Sequence, residues 1–461
     1  MRFRYRMIAL ILALTLALPL SACGAGTGND DTAADVSSSA AETEANTVEE
    51  ETAPEAEPEA EPEPVEEEEE LEENPEVRDT DGGLITSGSA EITFGRETVT
   101  VNAAYLIDGV DVEITSGMYT SASGDGDETV FLVVNGGSLT ITGTESRHVL
   151  VTKTGSGASG GQVSDDYNFY GINSGIVVAG EGSSAVIRYA DISTDANGSN
   201  AVVATADAAA EVYGSVIVTT GEAGSRGLHA TYGGVIDADS TSITTSGRSC
   251  AALATDRGGG TVNASNMTLE TNGAGSPLVY STGEINVYSS TGSANGAQSV
   301  VVEGGSSAYV EECDFTCSGG GNRTGASESD GSGHVIDAGG IFIYQSFSGD
   351  AESGTDYFTA VNSTFTVTTA GVPMFFITNI TAVIMLEGCT LNSASDSDRT
   401  FVAEETDQWG SVGSNGGVAE VVLTNQDTTG YTAFVGESSS ALTFTAMDSS
   451  STDIDVETGT W

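Results

Sequence analysis

The chain is poor in positive charge. Its 461 residues hold 13 lysines and arginines against 68 aspartates and glutamates, for a formal net charge of −55. A polyanion of this strength repels nucleic acid and anionic lipid headgroups, which excludes both as expected partners. Calcium and other cations are tolerated at such a surface, although the acidity is equally accounted for as a general habit of one organism's secreted proteins. Histidine is nearly absent, with three residues. Besides Cys23 there are four cysteines, Cys250, Cys313, Cys317 and Cys389, and they match no zinc-ligand spacing. In a strand, Cys313 and Cys317 stand ~13 Å apart. That is beyond the ~7 Å a disulfide can bridge unless the chain turns, so buried free thiols are expected. Beyond the N-terminus no run is long and apolar enough to span a bilayer, and no stretch shows a sustained helical stripe.

What is there begins with an export signal. Arg2, Arg4 and Arg6 precede an apolar run from Met7 to Leu18, then Pro19-Leu20-Ser21-Ala22-Cys23-Gly24. A basic start, a short apolar stretch and small residues describe a secretory signal peptide. Leu20-Ser21-Ala22-Cys23 also resembles a bacterial lipobox, in which cleavage leaves Cys23 as the acylated N-terminus. Acyl chains then tether the chain to a membrane without crossing it. An ordinary signal peptide would carry the cysteine incidentally.

From Gly24 to about Asp81 the composition is dominated by Glu, Pro, Ala and Thr, with Glu55-Ala-Glu-Pro-Glu-Ala-Glu-Pro-Glu-Pro64 and the run Glu66 to Glu70. Such a segment cannot bury enough apolar surface to offset its ordering entropy and is expected to be disordered. Like charges and prolines extend it. It reads as a stalk that holds a folded body off the membrane, or as a solubilising spacer.

The remainder is a strand-and-turn alphabet. Strands are expected at Val130–Val134, Ser138–Ile141, Gly175–Val178, Val216–Val218, Ile341–Tyr344, Phe365–Val367, Ala382–Leu386, Ala419–Leu423 and Ala441–Phe444. Four phrases share one frame: Ser199-Asn-Ala-Val-Val-Ala-Thr205, Ser225-Arg-Gly-Leu-His-Ala-Thr231, Ser249-Cys-Ala-Ala-Leu-Ala-Thr255 and Ser276-Pro-Leu-Val-Tyr-Ser-Thr282. A recurrence of this length marks a solenoid whose units bury one core between them. Two or three short strands in ~24 residues match one coil of a parallel β-helix, and about 15 such coils at ~4.8 Å would make a rod of roughly 70 Å. The fold expected is all-β: a right-handed parallel β-helix over 83–461, preceded by a signal peptide over 1–22 and an acidic linker over 23–82.

Alternation along a strand separates two faces. The fourth frame position, Val202, Leu228, Ala252, Val279 and Val301, is aliphatic or small and should point inward. The fifth, Val203, His229, Leu253, Tyr280 and Val302, mixes polar and aromatic residues and should point outward, at least in part.

The phrases Ser225-Arg-Gly-Leu-His-Ala-Thr-Tyr-Gly-Gly234, Ala252-Leu-Ala-Thr-Asp-Arg-Gly-Gly-Gly260, Gly275-Ser-Pro-Leu-Val-Tyr-Ser-Thr-Gly283 and Tyr344-Gln-Ser-Phe-Ser-Gly-Asp-Ala351 resemble those of adhesin-like bacterial surface proteins of the pectin-lyase-like, right-handed β-helix group. The resemblance covers about residues 160 to 390. It implies the fold and brings no activity with it.

Candidate ligand-binding residues gather on one edge of four successive coils: Arg226, His229, Tyr232, Asp256, Arg257, Tyr280 and Glu303. In the frame, Tyr232 and Asp256 share a position one coil apart, and His229 and Tyr280 share one two coils apart. Aromatic faces, arginine and carboxylates suit a carbohydrate chain, since rings stack on sugars and polar groups bond to hydroxyls. An Asp256–Arg257 turn salt bridge and edge-covering tyrosines account for the same residues without a ligand. β-Helix polysaccharide lyases, as the resemblance implies, use carboxylate-bound calcium and a basic residue. Arg226 or Arg257 could serve as that base, with Asp256 and Glu303 as oxygen ligands, but no tight trio of acidic residues stands beside them. A hydrolase needs two carboxylates at a set separation, for which Asp165-Asp166 and Asp237/Asp239 are the available pairs. The segment Gly349-Asp350-Ala-Glu352 with Asp356 could hold calcium in a loop, although its spacing is not that of an EF-hand.

The expectation is a lipid-anchored, exported surface protein that engages an extracellular glycan or a host or neighbouring cell surface. The rival expectations are an extracellular polysaccharide lyase or hydrolase, and a passive spacer. Cys23→Ser should abolish incorporation of labelled fatty acid and move the chain from the membrane fraction to the medium. Unchanged labelling of that variant would remove the anchor.

Overall fold

The computed structural model describes residues 71–121, 127–155, 163–319, 339–346, 351–406, 415–436, 438–448 and 454–459. The expected signal peptide, Cys23 and the linker up to residue 70 lie outside the described residues. The β-branched and aromatic runs form strands at every place expected, and they assemble into three sheets. Sheet I has fourteen strands, from Gly88–Phe94 to Asp455–Thr458. Sheet II has twelve, from Asp111–Ile114 to Ala441–Met447, and sheet III has ten, from Met118–Thr120 to Thr390–Asn392. The chain runs I, II, III and returns to sheet I beside the strand it left one coil earlier. Successive strands pair in parallel, as Val202–Thr205 with Leu228–Thr231 and Ala209–Tyr213 with Val235–Asp239. Among the described strands the one antiparallel pair is the opening hairpin, Gly88–Phe94 with Glu97–Asp108. With the right-handed crossover that parallel strands require, this is a right-handed parallel β-helix.

One turn repeats in almost every coil. Between sheets II and III a single residue takes a left-handed conformation: Tyr189, Gly214, Ser240, Asn266, Ser289, Glu312, Asn362 and Gly388, with φ from 47° to 61°. Such a φ costs a residue with a side chain ~1 kcal/mol. Here it aims each N–H at the next coil, as in Tyr189 N to Tyr213 O (3.0 Å), Ser240 N to Ser265 O (3.0 Å), Asn266 N to Tyr288 O (3.0 Å) and Asn362 N to Glu387 O (2.8 Å). The backbone ladder therefore continues around the corner.

The interior column at the centre is Val202, Leu228, Leu253, Val279 and Val300, and the outward one is Val203, His229, Ala254, Tyr280 and Val301. This corrects the sequence frame, which placed Ala252 and Val301 inside and Leu253 and Val302 outside. The slip has a physical cause. Cys250, not Ser249, takes the serine position of its coil. Ser225 N donates to Cys250 Sγ (3.1 Å) and Cys250 N donates to Ser276 Oγ (2.9 Å), while Ser249 is spent on a left-handed turn (φ 53°). Cys313 likewise stands in a hydroxyl ladder, between Ser290 N (3.4 Å) and Ser363 Oγ (3.1 Å). Cys250, Cys313, Cys317 and Cys389 are free and buried, and burial pushes the first three thiols up to about 11.

Two further expectations change. Sheet II counts twelve coils where about fifteen were expected, because some coils are much longer than ~24 residues: Val300 pairs with Ile341. The folded body also starts upstream of residue 83. Val77 and Ile85 are buried in the core, and Glu73 bridges Met118 while Asp79 bridges Val112, so this segment lies against the free edges of the first coil. At the same end Lys153, the chain's one lysine, is fully buried. Its Nζ donates to Ser121 Oγ (3.3 Å) and Thr154 O (2.9 Å), and burial lowers its pKa.

Aromatic side chains fill the later coils. Phe375 stacks on Phe401 (5.0 Å between centroids) and meets Phe358 edge-on (5.8 Å). Phe375→Ala should lose ~3–5 kcal/mol in urea unfolding. Cys250→Ser keeps a donor and an acceptor in its ladder and should change stability by less than ~1 kcal/mol. A large loss for the serine variant would show that the thiol is needed for its volume.

Candidate functional site

The structure divides the seven candidate residues into four places. Arg226, His229 and Asp256 form a buried group on the outward side of sheet I. Arg226 Nη2 lies 2.8 Å from Asp256 Oδ2, and His229 Nε2 lies 3.5 Å from the same oxygen. His229 and Asp256 are almost fully enclosed and Arg226 is 7% exposed. Arg226 Nη1 also donates to Asn168 Oδ1 (3.2 Å). The His229 contact is misaligned for a hydrogen bond, and neither ring nitrogen has a hydrogen-bond partner among the described residues. Burial, and then the Arg226 charge, press the imidazole down to about 4, against the pull of Asp256.

What encloses this group was not visible in the frame. Alternation gives a side chain's direction and says nothing of what lies over it. The opening hairpin and the segment from Val163 to Ile172 cover the outward column, so that Ile92, Phe94, Phe169, Tyr170 and Ile172 pack on Leu132, Val177 and Val203. Arg257 fastens this cover. It pairs with Asp165 (2.8 Å) and its guanidinium lies 4.0 Å from the Phe169 ring centre. The expected Asp256–Arg257 turn pair is therefore replaced by two separate ones, Arg226–Asp256 and Arg257–Asp165. The one-residue slip also moves Tyr232 into register with Arg257, to whose carbonyl it donates (3.0 Å), and not with Asp256.

Half-buried Tyr280 and buried Glu303 form a second place, farther along the coil. The Glu303 carboxylate accepts from Tyr280 Oη (2.5 Å), Tyr344 Oη (2.8 Å), Ser346 N (3.3 Å) and the Ser346 hydroxyl. Asp356, weighed as a calcium ligand, is fully buried and accepts from Ser306 N through Oδ1 (3.1 Å). Its Oδ2 has no hydrogen-bond partner among the described residues. Burial first, with the Glu303 charge adding to it, raises its pKa to about 8. Gly349 and Asp350 lie outside the described residues. Among the described residues no three acidic, histidine or cysteine side chains are grouped to hold a metal ion. Asp237 and Asp239, the possible hydrolase pair, accept from Asn263 (2.7 Å) and Asn266 (2.6 Å) respectively.

Of the seven, Tyr232 borders an open cleft. This cleft, about 630 Å³, lies between the hairpin tip and the turns joining sheets I and II, and its walls include Glu91, Phe94, Asn135, Glu181, Asp207 and Tyr232. Phe94 stacks on Tyr170 (4.4 Å) and lies 5.1 Å from Tyr232, so the aromatic wall is rigid. The turns present left-handed residues to the cleft, Ala206 (φ 51°), Asp207 (φ 64°), Tyr232 (φ 46°) and Gly233 (φ 77°). A methyl group on Gly233 would stand 2.4 Å from Asp207 Oδ1, so the glycine leaves room for that carboxylate. Sequence reasoning missed Glu91, Phe94, Glu181 and Asp207 because they come from a hairpin and two turns outside the aligned frame.

No protein-family model matches the chain, nor does any curated protein or solved structure.

The two buried carboxyl sites respond to substitution in opposite ways. Asp256→Ala leaves Arg226 enclosed without its partner and should cost ~3–5 kcal/mol. Asp356 has a raised folded pKa, so the native state keeps a proton that the unfolded chain releases. Its contribution to stability therefore falls as pH rises from 3.8 to about 8. Asp356→Asn removes that slope, and its unfolding midpoint should gain on the parent chain across the same window. Parallel pH profiles for the two would contradict the assignment.

Proposed function

We propose that the chain is a lipid-anchored cell-surface protein of the adhesin-like type that binds extracellular glycan without transforming it. One observation carries the reading: an open cleft walled by Phe94 and Tyr232 and edged by Glu91, Glu181 and Asp207. Aromatic rings offer flat apolar faces to the C–H faces of sugars, and carboxylates with turn backbone groups accept from hydroxyls. Such a site is concave, largely preformed and set by few polar groups, as small-ligand sites are.

The arrangement favours binding over turnover. A lyase base must reach the sugar, and Arg226 is held inside by Asp256 while Arg257 is engaged by Asp165 and Phe169. The Glu303 carboxylate is engaged by four donors on the outward side of sheet I, the hydroxyls of Tyr280, Tyr344 and Ser346 and the Ser346 N–H. The lipobox at Leu20–Cys23 and the acidic linker supply the surface placement.

Native gels cast with neutral polysaccharides or polyuronates, with and without calcium, test the reading on a chain that begins at a serine in place of Cys23. Saturable retardation by a glycan, with no new reducing or unsaturated ends, is the expected result. Tyr232→Ala should weaken retention about tenfold, equal to ~1.4 kcal/mol. Tyr280→Phe, which removes only the hydroxyl bonded to Glu303, should leave it unchanged. New chain ends, or full retention by the Tyr232 variant, would remove the reading or the cleft.

A further inference from the structure

We propose a second glycan-binding surface: a diagonal track of tyrosines on the outer face of sheet II that takes an uncharged polysaccharide chain. For the class of ligand it rests on the glycan-binding reading, but it shares no residue with the cleft.

Exposed apolar side chains are concentrated on this sheet. Of the eight large ones exposed among the described residues, Tyr288, Tyr357, Met385, Val418 and Met447 belong to sheet II strands. The only aromatic ones are Tyr288, 37% exposed, and Tyr357, 47% exposed. Single exposed apolar residues need no explanation, but a contiguous set marks an interaction surface.

Register gives the set a direction. Tyr288 pairs with Glu311 on the next strand and Asn286 pairs with Tyr309. Ser307, two residues before Tyr309, pairs with Tyr357. Tyr288, Tyr309 and Tyr357 thus step one coil and two residues at a time across the sheet, ~8 Å per step at ordinary strand dimensions. All three point outward, because alternate residues Ile285, Val287, Ala308, Val310, Phe358 and Ala360 fill the core. The Tyr288 and Tyr309 rings lie 5.6 Å apart with a 43° tilt, and Tyr309 Oη is held by Glu311 (2.9 Å). The result is a row of three outward rings, the first two in mutual contact, long enough at two steps of ~8 Å for several sugar units.

Beside the row runs a polar ladder. Asn286 Nδ2 donates to Asn263 Oδ1 (2.9 Å), and Asn263 Nδ2 donates to Asp237 Oδ1 (2.7 Å). These amides are half-buried and aligned from coil to coil, and each amide oxygen has two lone pairs with which to accept from sugar hydroxyls.

Charge selects the occupant. From Ala209–Tyr213 onward the sheet II strands carry no lysine or arginine, while Glu211, Asp237, Glu284, Glu311 and Glu387 stand on their outer face. A polyuronate or a nucleic acid is repelled there. A neutral chain that offers apolar ring faces to the tyrosines and hydroxyls to the amides is not.

The test uses the same soluble chain in native gels containing hydroxyethylcellulose, galactomannan or polygalacturonate. Tyr288→Ala with Tyr357→Ala should weaken retention by a neutral polymer about tenfold, whereas Tyr288→Phe with Tyr357→Phe should retain it. Unchanged circular dichroism and unfolding midpoint of both double variants separate lost contact from lost fold. Full retention by the alanine double variant, with Tyr232→Ala alone losing binding, overturns the track and leaves the cleft. Equal retention by polygalacturonate overturns the charge selection. No retention of the parent chain by any of the three polymers overturns both sites.

Discussion

Everything in this molecule depends on a backbone that must arrive at the same height once per coil. The left-handed residue between sheets II and III sets that height, and its N–H ties the corner to the next coil. Once the corner is fixed, each side chain is stacked on its counterparts above and below at ~4.8 Å. Columns must therefore tolerate their own company. Aliphatic residues do so inside, and the phenylalanines of the later coils do so by stacking. On the outside the same rule bears on charge. In a chain with 68 acidic residues, carboxylates stacked without relief would repel. The column Glu211, Asp237, Asn263, Asn286 and Tyr309 replaces two of them with amides that donate to their neighbours.

The fold was legible because repetition is a property of spacing, and spacing is written in the chain. Alternating Val, Ile and Thr gave the strands, and the Ser-to-Thr frame gave the stacking. The frame failed by one residue at Ser249. A serine, a cysteine and a turn serine are interchangeable to pattern matching, whereas the ladder needs whichever residue can accept from Ser225 N. The start of the body was missed for a different reason. Residues 71–85 carry a stalk-like composition, yet bury Val77 and Ile85 by lying across the first coil.

The candidate site was less legible, since alternation assigns direction but not cover. His229 does point away from the core, as expected, and is still enclosed, because a hairpin and the segment around Phe169 lie over it. Those covering residues are distant in sequence and belong to no repeat. The charges beneath them, Arg226 with Asp256, tie one coil to the next, and Arg226 also bonds the cover through Asn168. Surface chemistry falls instead to residues that the repeat places without comment, such as Tyr288 and Tyr357.

Lys153 has a consequence of its own. With the chain's one ammonium side chain folded into the first coils, the outer skin of the body consists of carboxylates, amides, hydroxyls and a few guanidinium groups. Enzymes that join proteins through lysine, and amine-seeking reagents at any site but the α-amino group, find nothing to take hold of while the coil is intact. Labelling at that position would thus report the opening of the coils around Lys153, a built-in marker for the N-terminal end of the solenoid.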